Sequence, residues 1–379
     1  MGNTLINYGR EKVSKNIDLN EIIESLQFEG EFMGSKPFGS GHINDTFKLD
    51  FKAEEGQKSY ILQRINHEIF QNPAQLMENI HGVTSHLRKK IIENGGDPER
   101  ETLNVIPAKS GELFYKDSNG LYWRAYNFID KASSYDIVED PELFYQSALA
   151  FGNFQRLLAD YPADTLHETI VDFHHTRKRF DTFVKAVEED VCGRAKDVEE
   201  EIAFILDRKD YTSILVDMQE KGDLPLRVTH NDTKLNNVMM DNKTGKGICV
   251  VDLDTVMPGL IANDFGDAIR FGASTALEDE QDLSKVSMDL DLFDIYTKGF
   301  LEADDGSLTE KEIDTLTVGA KMMTLECGMR FLTDHLQGDN YFKIQRENHN
   351  LDRARTQIKL VADMEYKMDK MEQIVNKYR

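Results

Sequence analysis

Residues 228–254, VTHNDTKLNNVMMDNKTGKGICVVDLD, form a single strand–turn–strand island in a half of the chain whose apolar residues otherwise recur at helical spacing. Any fold for this chain must therefore seat a hairpin in a helical body. The apolar runs NVMM and ICVVDL flank the turn-forming DNKTGKG, the signature of two paired strands. Around the island, Asp140-Pro141 supplies a cap and first-turn proline for LFYQSALAFGNFQRLLADYP, and helical patterns cover 172–190, 196–220, 284–303, 309–336 and 351–376. The last of these carries Met364, Met368 and Met371 on an amphipathic strip that reads as a face laid on the body.

Upstream the texture is different. Asp18 caps LNEIIESLQ, and FEGEFMGSKPFGSGHINDTFKLDF reads as two strands around a Gly-rich turn, Phe38 to Gly41. SYILQRIN is a third strand, Pro73 opens a helix running through Ile92, and LNVIPAK, ELFYK and LYWRAYNFI are further strand-like segments. The expected class is α+β, with a small antiparallel sheet and one helix over residues 1–129 and a larger, mostly helical region over 130–379.

At 379 residues and 40% hydrophobic the chain can bury sizeable cores in two or three structural units. Its 45 Lys plus Arg against 68 Asp plus Glu leave a net charge of -23, which argues against nucleic acid and anionic membrane as partners. Any phosphate must be held by local cations. Three widely spaced cysteines, Cys192, Cys249 and Cys327, give neither a zinc pattern nor a disulfide framework, and the opening residues lack the apolar core of a signal peptide. The expectation is a cytoplasmic, monomeric protein.

The hairpin can be counted. With Met240 opposite Gly247, Asn237 falls opposite Val250 and Asp252 follows within about two residues at the open end. Strand alternation sends Asp252 and Asp254 to one face, Val251 and Leu253 to the other. An amide oxygen beside a carboxylate suits a hard cation such as Mg²⁺ shared with nucleotide phosphates, so Asn237 and Asp252 are the candidate metal ligands. Asp232, in the turn entering this site, is placed to orient a hydroxyl and accept its proton as a phosphoryl group arrives. The plainer alternative is that His-Asn-Asp merely caps a turn and VVDLD is a buried strand ending in solvent.

The arrangement His230, Asp232 and Asn237, with a second acidic ligand after a hairpin, resembles the catalytic loop and metal segment of kinase-like phosphotransferases, and within them the aminoglycoside phosphotransferase/choline kinase superfamily. Asn231 stands where protein kinases usually have arginine, which tilts the resemblance toward small-molecule acceptors. The resemblance implies a bilobal protein-kinase-like fold, ATP and Mg²⁺ as cofactors, and nucleotide contacts from Gly39 and Gly41 over the phosphates. It also implies Arg64 on the strand ILQRIN, where lysine is usual, with Glu78 as its candidate partner or else a solvated helix residue. Tyr126, Phe128 and Ile129 would lie along the adenine. Trp123 reads as core packing. DFGD at 264–267 comes too late to be the metal motif, and the resemblance makes Asp264 and Asp267 braces of the catalytic loop. His174-His175 reads as a polar helix face.

The strings GHINDTF, ILQRIN, VVDLDTVMPGL, DFGDAIRFGA and RFLTDHLQGDNYF together look like N-acetylhexosamine 1-kinases, which phosphorylate the anomeric hydroxyl of N-acetylglucosamine or N-acetylgalactosamine. That resemblance makes His42, Ile43, Phe271 and Arg330 the candidate sugar contacts, although by residue type alone Phe271 reads as core and Arg330 as a helix surface charge. Two other readings stay open at this point: another small hydroxyl acceptor such as choline or an aminoglycoside, and a non-catalytic nucleotide-binding module.

Overall fold

The computed structural model describes residues 18–39 and 44–379, and the chain divides into two compact units. The first holds the residues up to Ala132 together with Leu166–Ile170; the second holds the rest.

In the first unit, helix α1 (Leu19–Ser25) starts at Asp18, whose carboxylate accepts from the N–H groups of Asn20 and Glu21 at 3.0 and 3.4 Å. Among the described residues six strands follow: β1 (Glu31–Pro37), β2 (Asp45–Ala53), β3 (Gly56–Ile65), β4 (Val105–Ile106), β5 (Tyr115–Lys116) and β6 (Tyr122–Asn127). They form one antiparallel sheet in the order β1-β2-β3-β6-β4, with β5 also on β6. Alternation along β2 buries Phe47, Leu49 and Phe51 on one face, where they join Leu19, Ile22, Leu62 and Trp123 in a core. Trp123 is core, as its apolar surroundings suggest: it is 0% exposed, and its indole N–H donates to Asp117 at 3.0 Å. Pro73 begins α2 (Pro73–Glu93), whose buried Leu76, Ile80, Val83, Leu87 and Ile91 recur at helical spacing; α3 (Pro98–Glu101) is a single turn. The buried Asn79 amide donates to the His167 carbonyl and accepts from the His167 N–H, both at 2.8 Å. That exchange stitches Leu166–Ile170 to this unit.

The two-residue strand β7 (Ala132–Ser133) leads the chain onward. The helices that follow are α4 (Pro141–Leu157), α5 (Thr176–Glu189), α6 (Glu199–Leu206), α7 (Ile214–Glu220), α8 (Ile261–Gly272), α9 (Leu290–Asp304), α10 (Glu310–Asp314), α11 (Leu316–Leu336) and α12 (His349–Tyr378). Two patterns that read as single helices are split: 196–220 is broken by a 3₁₀ turn at Asp210–Ser213, and 309–336 is interrupted at Thr315, which ends α10 and precedes α11. The pattern at 284–303 becomes α-helix only at Leu290, where Asp289 caps the N–H groups of Asp291 and Leu292. Helix α8 is buried along almost its whole length and crosses α11. Met364 and Met371 of α12 are buried, the strip facing the body as its amphipathic pattern requires.

The island at 228–254 supplies β8 (Arg227–Thr229), β9 (Val238–Asp241) and β10 (Gly247–Val250), with β11 (Met257–Gly259) pairing back on β8. The β9–β10 turn is tied by Asp241, which accepts from Lys243 N and Thr244 N at 3.0 and 2.8 Å.

Candidate active site

Gly247 does pair with Met240, but an irregularity between Gly247 and Cys249 shifts the rest of the register. Cys249 then faces Met239, Val250 faces Val238, and the Val251 N–H donates to the Asn237 carbonyl at 2.9 Å. Asn237 is thus opposite Val251, one residue later than a regular ladder gives, and Asp252 is the next residue beyond the last pair. The alternation expected for Asp252 and Asp254 fails for a physical reason: the strand ends at Val250, Asp252 takes a left-handed backbone (φ 59°), and Leu253–Thr255 is a 3₁₀ turn. Asp252 is consequently exposed and Asp254 buried.

The loop from His230 to Asn237 is held by hydrogen bonds and an ion pair of its own side chains. The Asn237 amide nitrogen donates to the backbone carbonyl of Asp232 at 2.8 Å and to its carboxylate at 3.1 Å, so its carbonyl oxygen is the end left to meet a cation. Lys234 lies 2.6 Å from the other carboxylate oxygen of Asp232, whose side chain is 28% exposed. Burial pushes the Asp232 carboxyl up, but the Lys234 ammonium more than offsets it and holds the group below its ordinary range. Lys234 in turn is raised by the same carboxylate. Asn231, between His230 and Asp232, has φ 62°, a conformation asparagine tolerates. Its buried amide donates to the Thr255 carbonyl at 2.8 Å and accepts from the Thr229 hydroxyl at 3.0 Å. His230 is fully buried against the ring edges of Phe151 and Phe154, with Nε2 2.9 Å from the Val251 carbonyl.

The DFGD segment lies inside α8 and braces the loop directly. Asp264 accepts from His230 N at 2.8 Å, Asn231 N at 2.7 Å and the Gln155 amide at 2.8 Å. Asp267 accepts from Thr233 N at 3.1 Å and from Arg270, which also reaches Glu278. Spaced three apart, the two aspartates share a helix face. Burial pushes the Asp264 carboxyl up to about 6 against the hydrogen bonds that favour its ionised form.

Two groups that the sequence reading did not assign to the site belong here. Lys234 had a local signal, a cation two residues after Asp232. His174 had none: it is not on a polar helix face but in the turn before α5, and it contacts Glu326 and the Asn231 carbonyl, 152 and 57 residues away in sequence.

Arg330 projects from α11 with 19% of its side chain exposed, its guanidinium 5.4 Å from the Phe173 ring centre and 5.6 Å from that of Phe342. Phe271 is half-buried in the last turn of α8. Among the described residues no group of three or more His, Cys, Asp or Glu could hold a metal unaided.

In the first unit Arg64 does not pair with Glu78. The β2–β3 register sets Asp45 directly opposite, and Arg64 Nε donates to it at 2.7 Å, while Glu78 takes the His167 ring at 2.7 Å. A lysine does stand on this sheet: the Lys48 ammonium lies 4.4 Å from the Phe128 ring centre and 3.2 Å from Asp50. Tyr126 and Ile129 are buried and Phe128 is half-buried, its ring meeting that of Phe38 edge-on at 5.6 Å. Gly39 has φ 77°, and among the described residues nothing lies within 4 Å of where a Cβ would stand. Gly41, His42 and Ile43 lie outside the described residues.

A braced Asp–Asn loop before a hairpin that ends in an acidic residue, with an antiparallel sheet N-terminal to it and a helical body around it, defines a kinase-like phosphotransferase. The profile of the phosphotransferase enzyme family matches residues 34–295, and the chain belongs to that family. Its fold is similar to that of an aminoglycoside phosphotransferase from Alicyclobacillus acidocaldarius (TM-score 0.62, 10% identity, 97% of this chain and 99% of that one). It is likewise similar to a choline kinase from Cryptosporidium parvum (0.55, 13%, 91% and 92%) and to a spectinomycin phosphotransferase in complex with ADP and spectinomycin (0.54, 13%, 89% and 94%). Among the described residues no helix is long and apolar enough to cross a membrane.

Proposed function

We propose that the protein transfers the γ-phosphoryl group of ATP to O1 of an N-acetylhexosamine, N-acetylglucosamine or N-acetylgalactosamine, giving the sugar 1-phosphate. The observation that carries the phosphotransfer is the geometry of Asp232. Its carboxyl is held below its ordinary range and fixed by Asn237 on one oxygen and Lys234 on the other, within a braced loop. A carboxylate held below its ordinary range is a weak base; its work is to orient the acceptor hydroxyl and take the proton late, as bond formation makes that proton acidic. Lys234 beside it offers positive charge to a phosphoryl oxygen.

The donor set fits magnesium. Asn237 presents an amide oxygen and Asp252 a carboxylate, both hard ligands, and two protein ligands leave the other positions to phosphate oxygens and water. Bound there, the cation would neutralise charge on the transferring phosphates. In the first unit the nucleotide contacts are assigned to Gly39, Gly41, Arg64 and the Tyr126–Ile129 segment.

The acceptor assignment rests on the family-like strings and on residue chemistry. Arg330 supplies several N–H donors on a guanidinium within 5.6 Å of two aromatic ring centres, and Phe271 an apolar wall, which suits a neutral sugar rather than a cationic amine alcohol. His42 and Ile43 are assigned to the same acceptor by resemblance alone. The proteins of similar fold named above act on choline or aminoglycosides, so the comparison that decides is direct. ADP release would be followed across N-acetylglucosamine, N-acetylgalactosamine, choline and spectinomycin, with ³¹P and ¹³C NMR of the product. Turnover confined to the sugars with phosphate on C1 is expected; preferred turnover of choline or an aminoglycoside would overturn the sugar assignment.

A further inference from the structure

The peptide joining Asn231 to Asp232 is gripped at both ends by histidine rings. Its N–H, on Asp232, donates to Nδ1 of His230 at 3.3 Å. Its carbonyl oxygen, on Asn231, lies 3.2 Å from Nε2 of His174. This peptide sets the direction in which Asp232 leaves the backbone, and it follows a residue in the left-handed region.

Hydrogen-bond complementarity fixes what each ring must be. His230 faces one donor, the Asp232 N–H, and one acceptor, the Val251 carbonyl at 2.9 Å, so it is the neutral tautomer with its proton on Nε2. His174 faces two acceptors: the Asn231 carbonyl at Nε2 and the Glu326 carboxylate at Nδ1, 2.9 Å away. Neither a carbonyl nor an ionised carboxylate can donate, so His174 meets them with a proton on each nitrogen. Glu326 is suited to keep it so. Its side chain is fully buried on α11, and Oε2 has no hydrogen-bond partner among the described residues. Burial would raise its carboxyl, but His174, Arg330 and Arg179 more than offset that and keep it ionised. The charged groups facing this pair are Arg179 from α5, Arg330 from α11 and Asp264 from α8.

We infer that His174, held as a cation by Glu326, is a positioning residue for Asp232: it fixes the carbonyl end of the Asn231–Asp232 peptide as His230 fixes the N–H end. The inference rests on Asp232 being the group that orients the acceptor. Glu326 stands one helical turn before Arg330, 3.9 Å from its guanidinium, so the carboxylate that anchors the clamp also borders the proposed acceptor contact.

Replacing His174 with alanine would strand a buried carboxylate and risk misfolding, so the test uses His174→Gln and Glu326→Gln. A glutamine amide has its donors on one nitrogen and can satisfy Glu326 or the Asn231 carbonyl but not both. Glu326→Gln leaves the ring in place beside a neutral partner. In the unaltered protein labelled with ¹⁵N-histidine, two attached ring protons are expected on His174 and one, at Nε2, on His230. In both variants, amide hydrogen exchange at Asn231–Thr233 rises while the remainder of the chain stays protected. For an acceptor that the unaltered enzyme phosphorylates, kcat falls about 10- to 100-fold in both variants with nucleotide Kd within about twofold, acceptor KM stays within about twofold in His174→Gln, and the double variant is no worse than either single one. A single ring proton on His174, unchanged exchange at the loop, or losses that multiply in the double variant would overturn the inference. Should the unaltered protein phosphorylate no acceptor, the sugar-kinase reading fails, while ring-proton count and loop exchange still decide the clamp.

Discussion

Asp232 is partly exposed and Asp264 is buried, both on or against one loop, and their environments push them in opposite directions. Asp232 is held down by Lys234, whereas Asp264 is pushed up to about 6 by burial. Different roles follow. On the proposed reading, removing the charge at Asp232 takes away the group assigned to orient the acceptor and leaves the assigned nucleotide contacts intact. Asp232→Asn should therefore lower kcat by about 10²- to 10⁴-fold, with ATP affinity, measured by calorimetry, within about twofold. Asp264 acts through the loop. As pH falls through about 6 it takes up a proton, and an oxygen bearing hydrogen can no longer accept from His230 N or Asn231 N. The kcat profile should show an acid limb there, lost in Asp264→Asn, which should be slow at every pH. The stability sign is the reverse. With the folded-state pKa above its ordinary 3.8, the stabilising contribution is complete below 3.8 and is lost as pH rises through about 6. Urea titrations across that window check the sign. A profile flat down to pH 5 would remove Asp264 from this account.

Elements were legible in the sequence wherever local chemistry determined them. Asp18, Asp140 and Pro73 start their helices where cap and proline rules place them, and Met240 pairs with Gly247 as the turn demands. What could not be read was the shift between Gly247 and Cys249, because no side-chain pattern distinguishes a bulged strand from a regular one. The left-handed Asp252, and the pairing of Arg64 with Asp45 instead of Glu78, depend on that kind of register detail. His174 was illegible because its partners are remote in sequence. Helix α10 illustrates a further limit: Thr309 and Glu312 form a capping box, visible as T-x-x-E, yet Glu312 also makes a two-pronged pair with Arg227 of β8 at 2.5 and 2.8 Å. With Glu312 buried, Glu312→Ala leaves Arg227 without that partner and removes the cap together. It should destabilise the fold by about 3–5 kcal/mol, read from chemical denaturation; Glu310→Ala, on the exposed side of the same turn, should change little.

The second unit as a whole is organised by the crossing of α8 and α11. Gly266 and Gly319 let the two backbones touch: a Cβ on Gly319 would stand 1.9 Å from the Ala262 carbonyl oxygen, and one on Gly266 2.3 Å from the Gly319 oxygen. Each obstacle is backbone, which cannot rotate aside. The crossing matters for the proposed chemistry because α8 carries Asp264 and Asp267, which brace the His230–Asn237 loop, and α11 carries Glu326 and Arg330. A methyl group at Gly319 must therefore push apart the two helices that hold the loop from different sides. Gly319→Ala should lower stability by at least about 1–3 kcal/mol and also reduce kcat in the molecules that remain folded, since the displaced brace moves Asp232. Gly34→Ala in β1, where a Cβ would meet nothing within 4 Å among the described residues, supplies the comparison and should alter neither. Thermal midpoints and kcat measured well below the transition separate the two effects. Lost stability with full turnover would mean that the crossing supports the fold alone, and that the loop is positioned by its own hydrogen bonds without help from the helix packing behind it.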